Sequence, residues 1–172
     1  FTVNVKEQPN MATQNSGGYG QRTGGSGGYG TDRQNTQGPT ISVSDIKLSA
    51  PLPENLFADI AQEKAARVYE GGAGRRNKST QLRKFYDELV MWFDKVQLER
   101  TKDAKTAKYT EVAPFVKMMN AKVAYARGRD HVDECFEQMF SHLIRQITDA
   151  ESLKHAKLFM EAFMGFYKAQ EK

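Results

Sequence analysis

The chain has 172 residues, with 25 Lys and Arg against 21 Asp and Glu, for a formal charge of +4. Its single Cys excludes an internal disulfide, no run of about 18 apolar residues offers a membrane span, and the N-terminus lacks the apolar core of a secretory signal. These features fit a chain working in a reducing cytoplasm.

Only seven of the first 40 residues are apolar, whereas residues 41–172 have about 45% apolar content, an ordinary globular fraction. The composition predicts residues 1–40 to be a disordered Gly/Tyr-rich tail, because so little apolar surface cannot offset the entropy of ordering. The pentad Ser16-Gly17-Gly18-Tyr19-Gly20 recurs at residues 26–30. Such a segment reads as a linker, with Tyr19, Tyr29 and Arg22 available for weak stacking on single-stranded RNA. Met11 lies inside it, so either residues 1–10 are foreign to the protein or Met11 is an alternative start, and the sequence does not decide between them. Residues 41–52 follow as an arm: Ile41 to Ile46 alternate as a strand would, but no partner strand is evident.

Residues 53–172 read as a compact all-α five-helix bundle. The first helix spans about 53–70, with Pro53 in its first turn, an apolar face of Leu56, Phe57, Ile60, Ala61, Ala65 and Val68, and a stop at Gly71 to Gly74. The second is capped by Ser79 or Thr80 and carries Leu82, Phe85, Leu89, Phe93 and Val96, widened by Tyr86 and Trp92. It frays into a polar stretch at 100–108. The third starts near Thr110, which puts Pro114 in or just after its first turn, and is lined by Val112, Phe115, Val116, Met119 and Val123 until Gly128. The fourth begins at Asp130, with Val132, Phe136, Met139, Leu143 and Ile147 on one face. The fifth is capped by Asp149 and is apolar nearly all round, which predicts burial.

No catalytic constellation emerges: there is no P-loop, no dinucleotide fingerprint and no His-Glu-x-x-His. His131 and Cys135 lie four apart, but a lone pair is short of the four ligands zinc usually takes. Cys135 reads as a half-buried apolar residue, and His142 and His155 as structural histidines. No metal and no cofactor are expected. Charge is the one informative signal. Residues 71–84 carry five cations (Arg75, Arg76, Lys78, Arg83, Lys84) and no acid. Residues 100–129 hold eight cations against two acids, and residues 130–151 hold one cation against six acids. Such asymmetry suits a phosphate backbone, although charge runs are usually solvated faces. The Gly-rich loop before Ser79 offers a modest anion site at a helix start.

Three segments carry a resemblance: residues 79–88, reading Ser-Thr-Gln-Leu-Arg-Lys-Phe-Tyr-Asp-Glu; residues 117–129, from Lys117-Met118-Met119 to Arg127-Gly128-Arg129; and residues 158–168, closing on Gly165-Phe166-Tyr167-Lys168. In this order they resemble the small subunit of type III-A CRISPR effector complexes, the Csm small subunit, over roughly residues 53–170. The Gly/Tyr tail departs from the family pattern. The resemblance implies a non-catalytic helical protein that stacks with neighbouring copies of itself and with other subunits, and helps to hold CRISPR RNA and target RNA. Target cleavage and nucleotide signalling belong to other subunits. The basic motif positions are Arg83, Lys84, Lys122 and Arg127, with Arg129 adjacent; Arg75, Arg76 and Lys78 are added by charge alone. Tyr125 reads as a core aromatic or as a residue near the duplex. Contacts of this kind track phosphates while the guide supplies sequence. The alternatives are the type III-B small subunit, a helical adaptor that binds only protein, and a single-strand binder using the tail.

Overall fold

The computed structural model describes residues 40–72 and 74–171; the expected tail lies outside them. Among the described residues there are five α-helices and no strand: α1 (Ala61–Gly72), α2 (Ser79–Gln97), α3 (Lys102–Gly128), α4 (Glu134–Gln146) and α5 (Ala150–Gln170). A turn of π-helix, Leu56–Ile60, leads into α1. Helix α5 packs against α1 and α2, while α3 packs against α2 and α4. Phe136, Phe140, Phe159 and Phe163 are fully buried at the centre. Phe85 joins them from α2, with its ring 5.1 Å from that of Phe140.

The segment before the helices forms no strand. Its chain turns at Ser44 and Asp45 and buries Ile41, Ile46 and Leu48. Side chains of α4 and α5 serve its backbone. Gln146 takes the Leu48 amide at 3.1 Å and donates to the Ile46 carbonyl at 2.7 Å. His142 bonds the same carbonyl, and His155 bonds that of Leu48. Both histidines therefore have the structural role expected of them. From α1, the fully buried Lys64 reaches Asp45 at 2.7 Å and Glu63 at 3.0 Å.

Helix α3 starts eight residues earlier than the sequence suggests, at Lys102 rather than Thr110. Thr101 caps it by accepting from the Ala104 amide, so the polar stretch is helix. Pro114 consequently sits mid-helix, at a cost of about 3 kcal/mol for the lost hydrogen bond and ring clash. Burial of Tyr109 and Val112 on one side of it, and of Val116 and Met119 on the other, offsets that cost. The Tyr109 hydroxyl also donates to the Ile147 carbonyl at 2.9 Å. Lys117 closes the end of α4, its ammonium within 3.0 Å of the carbonyls of Ile144, Arg145 and Ile147.

Three further starts differ. The first helix begins at Leu56 and not at about Pro53, as the π-turn that passes into α1. Ser79 is the first residue of α2 and not its cap: Lys78 holds the cap position without a side-chain bond. Helix α4 begins at Glu134, capped by Asp133, because Asp130 has left-handed backbone (φ 56°) that cannot continue a helix. Cys135 is fully buried rather than half-buried.

The Asp149 cap is as expected, and Ser152 completes a reciprocal capping box. The Ser152 amide, then its hydroxyl, hold the Asp149 carboxyl below the usual carboxylate range. A depressed folded pKa means stability that is present above the unfolded value of about 4 and lost as pH falls through the folded one. Asp149→Ala should cost about 1 kcal/mol near neutral pH. Thermal melts should show that deficit shrinking in acid, whereas a deficit independent of pH would rule out the ionised cap.

Candidate nucleic-acid interface

One end of the bundle is tied together by Asn77. This buried residue adopts left-handed backbone (φ 56°) in the loop between α1 and α2. Its side-chain amide donates to the Val68 carbonyl at 2.8 Å, and its side-chain oxygen accepts from the Asp133 amide at 2.8 Å. Its backbone amide donates to the His131 carbonyl at 3.0 Å, and the Tyr167 hydroxyl donates to its carbonyl. Gly72 leaves room for it: a Cβ there would lie 3.2 Å from Asn77 Cβ. The loop carrying Arg75, Arg76 and Lys78 is thereby pinned to the loop carrying Arg129. Arg76 faces Asp130 at 3.7 Å across the join.

The eight cations singled out by the sequence do not form one patch. Arg75, Arg76 and Lys78 stand at the pinned end. Arg83 turns toward α5, pairs with Asp87 at 3.2 Å, and lines an open groove of about 610 Å³ with Thr80, Tyr86, Glu161 and Lys168. Arg127 lies in a shallow depression shared with Glu134, Glu137 and Arg145 of α4. Lys122 crosses from α3 to Glu88 of α2 at 2.7 Å, and Lys84 lies one helical turn before Glu88 on the same side of α2. Arg129 lies one turn beyond Tyr125, its guanidinium 6.0 Å from the ring centre. Arg75, Lys78, Lys84, Arg127 and Arg129 make no carboxylate ion pair among the described residues. The pairs made by Arg76, Arg83 and Lys122 are solvent-accessible, and such pairs contribute little and exchange readily for a phosphate.

Two expectations on α3 are corrected. Tyr125 is not a core aromatic but is 67% exposed, and Phe115 is not core but 48% exposed. The buried stripe is Val112, Val116, Met119, Val123 and Ala126. Phe115, Met118, Lys122, Tyr125 and Arg129, spaced 3, 4, 3 and 4, form a second stripe that faces solvent. Phe115 stacks on Trp92 of α2 with ring centres 5.4 Å apart and planes 13° off parallel. The Lys95 ammonium lies 4.5 Å from the Trp92 ring centre. Lys95 and Lys168 are cations the sequence reading missed, since each stands alone in its charge neighbourhood.

The anion site suspected at the start of α2 is filled by the chain itself. The Glu171 carboxylate pairs with Lys168 at 2.7 Å and lines the same depression as Ser79 at the start of α2. Lys168 is the main cause, with Ser79 second, of a Glu171 carboxyl held below its usual range. Among the described residues no group of His, Cys, Asp and Glu is placed to hold a metal ion, and no helix is long and apolar enough to cross a membrane. What remains is a helical surface of cations and exposed aromatics.

A family model described as Csm2 Type III-A matches residues 54–172. The chain belongs to the Csm2 Type III-A family. Helices α1 to α5 all fall within the matched span, so the bundle is the Csm2 domain. The match agrees with the resemblance carried by residues 79–88, 117–129 and 158–168, and identifies the chain as a small subunit of the type III-A Csm complex. It also favours type III-A over the type III-B alternative. No curated protein and no solved structure gives a significant match.

Proposed function

We propose that this Csm small subunit is a non-catalytic RNA-holding element, working in the cytoplasm beside neighbouring copies of itself along the CRISPR RNA and target RNA. The observation that carries the reading is the surface shared by α2 and α3, where Lys84 and Lys122 stand accessible and Arg129 follows at the end of α3. Cations at this spacing hold phosphates without reading bases. Arg75, Arg76 and Lys78 extend the basic surface around the pinned end. Arg83 and Arg127 face other sides and serve the RNA less directly, or the neighbouring subunits.

The test is to co-express two differently tagged copies of the chain with the remaining subunits, purify through one tag, and identify the RNA and proteins that co-purify. The expected result is RNA of uniform length together with the second tagged copy. For the purified chain, affinity for RNA should fall with salt at a log–log slope of about −3 to −5 for four to six phosphate contacts. The double variant Lys84→Gln/Arg129→Gln should shrink that slope by about 1.5. Assemblies that form without RNA, and binding indifferent to salt, would leave a protein-only adaptor as the better reading.

A further inference from the structure

The exposed stripe of α3 is unusual for a helix that already buries a full apolar face. Phe115 and Met118 are each 48% exposed, and Tyr125 is 67% exposed. They share their face with Lys122 and Arg129, and the neighbouring α2 adds Trp92 beneath Lys95. Solvent-facing apolar groups at regular spacing mark an interaction surface. The cations decide its occupant. The ammonium of Lys122 and the guanidinium of Arg129 lie between and beside the aromatic groups, and Glu88, the acid beside them, is already paired. A protein partner covering this face would have to desolvate those cations. A nucleic-acid strand would neutralise them while laying its bases on the rings, and this is the composition of single-strand stacking platforms.

We infer that the α3 stripe holds unpaired RNA nucleotides, with bases stacked on Tyr125 and on the Phe115–Trp92 pair and flanking phosphates on Lys122 and Arg129. The inference rests on the RNA-holding reading and deepens it: the surface distinguishes splayed bases from a continuous duplex. From residue 115 to its end at residue 128 the helix rises about 20 Å, enough for several nucleotides.

The experiment uses the full chain with a fluorescein-labelled oligouridylate of about ten nucleotides, and a blunt RNA duplex of the same length. Tyr125→Ala should weaken oligouridylate binding about tenfold at every salt concentration, leave the salt slope unchanged, and alter duplex binding less than about twofold. Tyr125→Phe should bind as wild type. Lys122→Gln should shrink the slope instead. Because Tyr125 is exposed, Tyr125→Ala should melt like wild type, which separates lost stacking from lost folding. Wild-type affinity in Tyr125→Ala with a normal slope would overturn the inference while leaving phosphate binding intact. Absence of salt-dependent binding to either RNA by the wild-type chain would overturn the RNA reading itself. If Tyr125→Ala keeps its RNA but loses another subunit on co-purification, the stripe is a protein-docking face and the inference fails.

Discussion

Asn77→Ala should destabilise the domain by about 3–5 kcal/mol, read as a lower denaturant midpoint with an unchanged slope. The substitution strips a hydrogen bond from the buried Val68 carbonyl and another from the Asp133 amide. The Asp133 amide is orphaned at a cost of about 1–3 kcal/mol, while the Val68 carbonyl keeps its bond within α1 and loses its second for about 1 kcal/mol. Alanine also tolerates φ 56° less well than asparagine, which adds about 1 kcal/mol. Asn77→Gly keeps the backbone freedom but not the bonds, so its loss should be smaller than that of alanine. If alanine and glycine were equally harmful, backbone conformation would play no part. If both cost under about 1 kcal/mol, the three-way tie would be unimportant. Under the proposed RNA-holding role, RNA affinity should fall with stability in this series, because Arg75, Arg76 and Lys78 sit on the loop that Asn77 ties down.

The second large effect concerns Lys64. Asp45→Ala leaves a fully buried ammonium with Glu63 as its remaining acid. Breaking a buried pair costs about 3–5 kcal/mol when the orphan stays dry. Here Asp45 is about one-third exposed, and the arm can loosen to admit water, so about 2–3 kcal/mol is expected. The double variant Asp45→Ala/Lys64→Met should recover most of that loss, since a thioether of similar length needs no acid. Chemical denaturation of the four proteins in the cycle measures the coupling. A double variant as weak as Asp45→Ala would show that the arm is held by its apolar side chains and not by the charge.

The sequence made some features plain and hid others, for identifiable reasons. The all-α class, the Asp149 cap and the core face of α4 were legible because local chemistry and a clean helical period agreed. The start of α3 was not: through its first seven residues no apolar side chain is buried, and its order comes from the Thr101 cap and from tertiary anchoring at Tyr109. Asn77 was invisible because its partners lie far apart in the chain: Val68 in α1, His131 and Asp133 in the loop after α3, and Tyr167 in α5. Phe115 and Tyr125 were readable as apolar residues at helical spacing, yet two adjacent stripes on one helix cannot both face the core, and the sequence does not say which loses. The charges were all visible, but packing alone determines that Arg83 faces α5, Arg127 faces α4, and Lys122 lies with Arg129.

The anchoring of the arm also orders events as the chain is made. Leu48 bonds a side chain 98 residues later and another 107 residues later. Closing so long a loop is entropically unfavourable until its partners exist. Helices α2 and α3 are close in sequence and can pair while synthesis continues. The arm, although translated first, has no dock until α4 and α5 have left the ribosome. Its locking onto the Gln146, His142 and His155 side chains therefore has to wait for α4 and the first turns of α5.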